Sequence, residues 1–245
     1  TEQPVVGQLM FEAAPIDYHE VGANDPVARL QKRLDAGEVT LAFDKWHGYL
    51  PAVLEQLQVP VSSQGLVFSQ TSFQLRKISP SRPRAVYFCD DVYIGWCQYG
   101  DVVEVSAVDS QLGAVFYTLE QEESSRPRFV RDKGQCLTCH ASSRTQGVPG
   151  HLVRSVFADR GGVPLLGSGT FTTDHTSAMA ERWGGWYVSG THGDQRHMGN
   201  VMVQNKRDPE SLDREAGANV VDLSKLVDTT PYLSPHSDLV ALMVL

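Results

Sequence analysis

Two cysteines and a histidine lie within five consecutive residues, Cys136-Leu-Thr-Cys139-His140. Thiols are nucleophiles and soft metal ligands, and an imidazole is a common ligand of transition metals. Two intervening residues make one short turn, which brings the thiols close together and places the imidazole beside them. From the Cys and His content of the chain, about 0.002 such strings are expected by chance, so the arrangement indicates a chemical role.

Two other kinds of site use closely spaced cysteines. A thioredoxin-like redox pair lies between a strand and a helix of a βαβ unit, and the residues around position 136 do not predict such a unit. A four-thiolate zinc site could recruit Cys89 and Cys97. However, seven residues separate this pair, where structural zinc sites usually leave two to four. The spacing therefore favours a third use of the motif.

C-x-x-C-H is the attachment signature of c-type haem, and through Cys136, Cys139 and His140 the chain resembles the c-type cytochromes. The resemblance covers the motif strictly and roughly the next sixty residues loosely. It implies one covalently bound haem c, with both thiols joined to its vinyl groups and His140 as the proximal iron ligand. It also implies a periplasmic or otherwise exported location, because haem c is attached on the oxidising side of a membrane.

The sixth iron ligand decides what such a haem does: methionine favours electron transfer, a second histidine lowers the potential, and an open position permits chemistry. Met198 follows His140 by 58 residues. This spacing resembles that of the distal methionine in small cytochromes c and favours Met198 as the second iron ligand. His192, His197 and an open position stay as alternatives. More remote candidates are His19, His47, His151, His175, Met179, Met202 and His236.

A second conspicuous string is Arg182-Trp183-Gly-Gly-Trp186-Tyr187. An indole ring can pack on a porphyrin and its N–H can reach a propionate, while a guanidinium pairs well with a carboxylate. Ordinary core packing is the simpler explanation for any single aromatic residue. The arginines considered as propionate partners are Arg154, Arg182 and Arg196.

Composition narrows the class of protein. The net charge of −8 argues against nucleic-acid binding and is compatible with docking to a basic redox partner protein. No apolar run approaches the roughly 18 residues of a membrane span. The start at Thr1 lacks a basic stretch followed by an apolar one, so we expect it to follow a removed leader or an engineered cut. The end predicts a helix capped at Ser237 or Asp238 that continues past Leu245.

The element pattern predicts an α+β fold with a helical N-terminal portion, an antiparallel sheet and a loop-rich haem-binding segment. Asp25-Pro26 begins an amphipathic helix that should end near Gly37, and a shorter helix is expected over 51–57. We expect residues 1–120 to form the helix-plus-sheet subdomain and 121–245 the haem-binding segment packed on it. Extended segments are expected over 66–68, 72–75, 85–89, 92–97, 102–108, 114–119, 153–157 and 186–188.

Cys89 and Cys97 are an even pair outside the motif, and an oxidising compartment would make a disulfide natural. The expected hairpin through Asp90-Asp91 pairs Cys89 with Val92 and leaves Cys97 well down the other strand. That geometry tends to hold the two Cα atoms farther apart than the roughly 7 Å that a disulfide permits. A disulfide and two buried free thiols stay equally open.

The leading hypothesis is an exported monohaem c-type cytochrome that carries single electrons between redox partners. One alternative is a haem c enzyme with an open distal site and peroxidase-like or other small-oxidant chemistry. There His192, Arg196 or Arg182 would serve as distal acid or charge stabiliser. Another is a haem sensor module of a longer protein.

Overall fold

A seven-stranded antiparallel sheet is the centre of the fold over residues 10–245, the part of the chain that the computed structural model describes. Its strands are β1 (Gly65–Val67), β2 (Arg84–Phe88), β3 (Val92–Trp96), β4 (Val102–Asp109), β5 (Gly113–Glu120), β6 (Phe129–Arg131) and β9 (Trp186–Tyr187). Their order in the sheet is β6-β5-β4-β3-β2-β1-β9. A second sheet pairs β7 (Val153–Val156) with β8 (Thr170–Thr173). The start at Thr1, with its expected leader, lies outside these residues.

Four short α-helices accompany the sheets in the described residues, which confirms the α+β class: α1 (Pro26–Asp35), α2 (Leu50–Gln56), α3 (Leu137–His140) and α4 (Leu239–Val244). α1 begins as predicted, because the Asp25 carboxylate accepts hydrogen bonds from the Val27 and Ala28 amides. It ends just before Gly37, whose φ of +72° is the left-handed conformation that glycine adopts most easily. The predicted cap of α4 is also confirmed at Asp238.

The two faces of the large sheet have different neighbours. On one face, α1 and α2 pack against apolar side chains that alternate along the strands, such as Val103 and Val105 of β4. On the other face, β4 presents Glu104 and Ser106 instead. The C-x-x-C-H turn packs on this second face through Phe116, which pairs with Ser106 across β4 and β5, so the sheet lies between α1 and the turn.

Most of the expected strands are confirmed, but the extended segment over 72–75 is wrong. The chain turns there and enters a 3-10 helix, Leu75–Lys77. The reason is the side chain of Gln74, which lies inside the fold and acts as a hydrogen-bonding clamp on the start of β4. Its Oε1 accepts from the Asp101 amide and its Nε2 donates to the Val102 carbonyl.

The sheet also crosses the expected subdomain boundary at residue 120. β6 and β9 come from the later part of the chain, yet they pair with β5 and β1. The division into residues 1–120 and 121–245 stays a prediction. Within residues 10–245, no helix has both the length and the hydrophobicity needed to cross a membrane.

The hairpin register decides between the alternatives for Cys89 and Cys97, which are both free thiols. The Cys89 amide donates to Val92, and Ala85 pairs with Trp96, so Cys97 lies level with the start of β2. Five residues of strand, roughly 16 Å, separate it from Cys89 along the ladder. This exceeds the reach of a disulfide. Cys97 is buried and Cys89 half-buried.

Asp25 ties α1 to the sheet, and its replacement by alanine is expected to lower the free energy of unfolding by about 2 to 4 kcal/mol. The carboxylate is 1 % exposed, caps α1 and also accepts from the Tyr117 hydroxyl, which would lose its acceptor. Urea unfolding followed by circular dichroism measures the change. Asp238→Ala removes a more exposed cap and should cost only about 1 kcal/mol. Equal losses in both variants would contradict the role assigned to Asp25.

Candidate functional site

The motif residues form one helical turn that is anchored at both sides. The His140 amide donates to the Cys136 carbonyl at 3.0 Å, and the buried Leu137 side chain belongs to the main core. The Asp132 carboxylate accepts from the Cys136 amide at 3.0 Å and fixes the start of the turn. In a helical turn, residues three and four apart share a face, so Cys136 lies on the same side as Cys139 and His140.

Both motif cysteines are free thiols; Cys139 is exposed and Cys136 half-buried. Burial raises the pKa of Cys136 to about 12, with the carboxylates of Asp132 and Glu104 adding to the effect. At neutral pH Cys136 is therefore a protonated thiol, whereas redox exchange uses the thiolate, which weighs against the thioredoxin-like alternative. The distance between Cys89 and Cys97 weighs against the four-thiolate zinc site.

The hydrogen bonds of His140 determine which of its nitrogens can bind a metal. Nδ1 lies 2.9 Å from the Gly150 carbonyl oxygen. A carbonyl only accepts, so Nδ1 carries the proton and Nε2 keeps its lone pair. Burial lowers the pKa of His140, which keeps the ring neutral at pH 7. Metal-binding imidazoles usually have this arrangement, with one N–H donated to a carbonyl or carboxylate and the other nitrogen on the metal.

The Gly150 carbonyl is itself held in place. The Gly150 amide donates to the His140 carbonyl at 2.8 Å, so two hydrogen bonds join these residues. The Phe116 ring packs against the imidazole with 4.7 Å between centroids. The orientation of His140 is therefore fixed by both its own segment and the sheet.

A second imidazole and an ion pair lie beside His140 on the sheet. His151 shares a hydrogen bond with Ser106, at 2.9 Å from Nε2 to Oγ, and its ring packs on Tyr93. Arg84 and Glu104 form an ion pair of 2.7 Å whose side chains are 22 % and 14 % exposed. The positive charge of Arg84 lowers the pKa of His140, and the negative charge of Glu104 raises it.

Met198, the predicted sixth ligand, lies in a separate small core with Phe157 and Val203. It is fully buried, and its sulfur accepts a hydrogen bond from the Ser155 hydroxyl at 3.7 Å. His140 packs instead on Phe116, which belongs to the main core. Met198 and Phe116 therefore belong to different clusters, and Met198 as an iron ligand stays a prediction.

His192 and His197 use the opposite hydrogen-bonding arrangement to His140. The Asn219 amide donates to His192 Nε2 at 3.0 Å, and the Gly199 amide donates to His197 Nδ1 at 2.9 Å. The remaining nitrogen of each neutral ring must carry the proton, so neither ring offers a lone pair to a metal. His47 is also unsuited, because its two nitrogens face a carboxylate and a carbonyl oxygen.

The three candidate arginines differ in their partners. Arg182 is buried and donates to the carbonyls of Asp174 and Ser177, while Arg196 pairs with a glutamate at the surface. Arg154 bonds only weakly to Thr170, at 3.4 Å, and its Nε is buried with no partner in the described part of the chain. Burial lowers the pKa of Arg154, and Cys139 acts against that shift. Of the three candidate arginines, Arg154 is therefore the one with a free N–H to donate to a carboxylate.

No family model, no curated protein and no solved structure matches the chain. Any assignment of the site therefore depends on its own chemistry. Free thiols at Cys136 and Cys139, a neutral His140 with an open Nε2, and an unpartnered guanidinium nitrogen on Arg154 fit a covalently attached haem. Sequence reasoning did not find Arg84, Glu104 or the Gly150 carbonyl; the Val-Pro-Gly turn before His151 was the available signal for the last.

His151 should make the fold sensitive to acid. Burial, with a smaller contribution from His140, lowers the pKa of His151 to about 4, whereas the unfolded chain takes up this proton near pH 6.5. Protons therefore favour the unfolded chain, and stability falls as the pH is lowered from about 6.5 to about 4, by at most about 1.4 kcal/mol per pH unit. His151→Gln should flatten this dependence in urea titrations, and exposed His236→Gln should not. An unchanged slope in His151→Gln would contradict the assignment.

Proposed function

We propose that this chain is an exported monohaem c-type cytochrome that transfers single electrons. One observation carries the proposal: in the C-x-x-C-H turn, His140 donates Nδ1–H to the Gly150 carbonyl and keeps Nε2 free. A C-x-x-C-H string that served only for packing would not need a neutral imidazole in a fixed tautomer beside two free thiols.

In this proposal each residue has a separate task. The thiols of Cys136 and Cys139 form the thioether bonds, and His140 Nε2 is the proximal ligand. When bound, haem c supplies an iron that accepts and releases one electron. The Gly150 carbonyl orients the imidazole and raises its basicity as a ligand. The carboxylate of Glu104 stabilises positive charge near His140, and Arg84 opposes it.

The exposure of the motif suits transfer to another protein. Cys139 is exposed, so a group attached to it would be reachable from the surface. A redox partner would need only a small, transient contact there. The acidic chain, with its net charge of −8, favours a partner with a basic docking surface.

A second candidate function is small-ligand chemistry or sensing at an open sixth position. The observation that favours it is the hydrogen bonding of His192 and His197, whose acceptor nitrogens are already engaged by backbone amides. Optical and electron-spin spectra of the haem-loaded protein, with and without carbon monoxide or cyanide, test both functions. Low-spin iron inert to both ligands supports electron transfer, whereas high-spin iron that binds them promptly supports the second function.

Met198→Leu tests the predicted sixth ligand: the spectra stay unchanged if the Met198 sulfur remains in the small core with Phe157 and Val203. The swap conserves volume, so the expected cost is under about 1.5 kcal/mol of stability. Absorption spectra of both oxidation states measure the first effect and thermal unfolding the second. Loss of a sulfur-to-iron band in the variant would instead establish Met198 as the sixth ligand. Met202→Leu is the matched control.

A further inference from the structure

Three aromatic rings form a contiguous cluster away from the C-x-x-C-H turn. Trp183 packs edge-on against His197 with 5.1 Å between ring centroids, and His192 packs edge-on against the same His197 at 4.7 Å. Trp183 and His197 are each 1 % exposed. We call Trp183, His192 and His197 the three-ring cluster.

Every ring of this cluster presents an N–H group. His197 accepts from the Gly199 amide through Nδ1, so its proton is on Nε2, and His192 accepts from the Asn219 amide through Nε2, so its proton is on Nδ1. The indole of Trp183 is a donor only. Trp183 Nε1 and His192 Nδ1 are both buried and have no hydrogen-bond partner within residues 10–245.

Two unmet donors in rings that pack on the same imidazole are unusual, because buried polar groups are nearly always hydrogen-bonded. Trp186, three residues later, shows that this segment can satisfy an indole: its Nε1 donates to the Arg154 carbonyl at 2.9 Å. The unmet indole of Trp183 is therefore not a general property of this region. An acceptor that is not part of the described chain explains it.

The backbone at Trp183 supports a specific role for this side chain. Its φ of +63° is in the left-handed region, which is costly for a residue with a bulky side chain. Flanking hydrogen bonds hold this conformation: the Trp186 amide donates to Trp183, and the Met198 amide donates to Arg182. Such strain persists where the surrounding structure fixes a side chain for binding.

We propose that the three-ring cluster binds a carboxylate or another small oxoanion through Trp183 Nε1 and His192 Nδ1. Oxyanions accept such N–H bonds strongly. A metal ion is the wrong ligand, because the acceptor nitrogens of His192 and His197 are already occupied by amides.

The oxyanion could come from two sources that share this chemistry, a propionate of the attached haem or a free anion. Trp183 packs with Val86 of β2, two residues from Arg84, on the same face of the sheet as Glu104. The cluster and the C-x-x-C-H turn therefore share one face of the sheet. Only the propionate source rests on the proposed function.

A crystal structure of the haem-loaded protein and ¹⁵N spectra of its indole and imidazole groups test the proposal. A propionate oxygen within hydrogen-bond distance of Trp183 Nε1 or His192 Nδ1 supports the first source. A saturable shift of the Trp183 N–H signal with added acetate or inorganic phosphate, with the Trp186 signal unmoved, supports the second. Water alone at both donors, with no saturable shift, overturns the proposal.

Two variants test the binding of a free anion. Trp183→Phe should weaken acetate binding at least about tenfold, and Trp186→Phe should leave it unchanged. In both variants the binding is measured from the ¹⁵N signals of the His192 ring. If Trp183→Phe does not fold, the Trp183 signal of the unaltered protein is assigned through its contact with His197. If no haem is attached, the proposed function fails, but the acetate and phosphate titrations of the full chain still test the oxyanion site.

Discussion

Replacing both Cys136 and Cys139 by serine should abolish covalent haem attachment completely. A hydroxyl does not form the thioether that joins the vinyl group to the chain, so any haem left in the variant would be removed by acidified organic solvent. The measurement is the intact mass of the protein, together with its absorption after solvent extraction. Each single variant should retain at most one of the two thioethers.

Cys89→Ser is the matched control for this experiment. Cys89 is a half-buried free thiol in the hairpin between β2 and β3, outside the C-x-x-C-H turn. Its replacement should leave the covalent haem in place. Covalent haem that survives the double Cys136→Ser, Cys139→Ser change would contradict the assigned attachment residues.

His140→Ala should remove the proximal ligand while both thioethers remain possible. The Gly150 carbonyl would lose its imidazole donor, and Phe116 would border the space left by the ring. Absorption and electron-spin spectra should lose the signature of histidine ligation, and added imidazole should restore it in part. These spectra measure ligation directly, so they separate a ligand from a packing residue.

His151→Gln is the control for His140→Ala, because His151 lies next to His140 but shares its Nε2 hydrogen bond with Ser106. Glutamine can keep a hydrogen bond to that hydroxyl, and the ligation spectrum should stay the same. An unchanged spectrum in His140→Ala would show that His140 is not the iron ligand.

Local signals in the sequence predicted the elements that depend on neighbouring residues. Asp25-Pro26 predicts the start of α1 because capping is settled within one turn, and Asp90-Asp91 between β-branched runs predicts the β2–β3 hairpin. The C-x-x-C-H string predicts its own turn for the same reason. The turn around Gln74 escaped prediction, because its amide acts on β4 some thirty residues later.

The tautomers of the histidines could not be predicted from the sequence at all. His140, His192 and His197 are equivalent as letters, and only the amide or carbonyl that faces each ring determines where its lone pair lies. The spacing of Met198 predicts an iron ligand, which stays a prediction, but it does not show that the sulfur lies beside Ser155, 43 residues away along the chain. Long-range contacts of this kind decide the chemistry of the site, and a single sequence does not display them.

The central claim is that one haem is covalently bound at the C-x-x-C-H turn. Its most direct test is the intact mass of the unaltered chain after expression in a host that attaches haem c, followed by proteolysis to locate the added mass. The account predicts the mass of one haem on the peptide that contains Cys136, Cys139 and His140. A bare polypeptide mass, or haem located on another peptide, would contradict it.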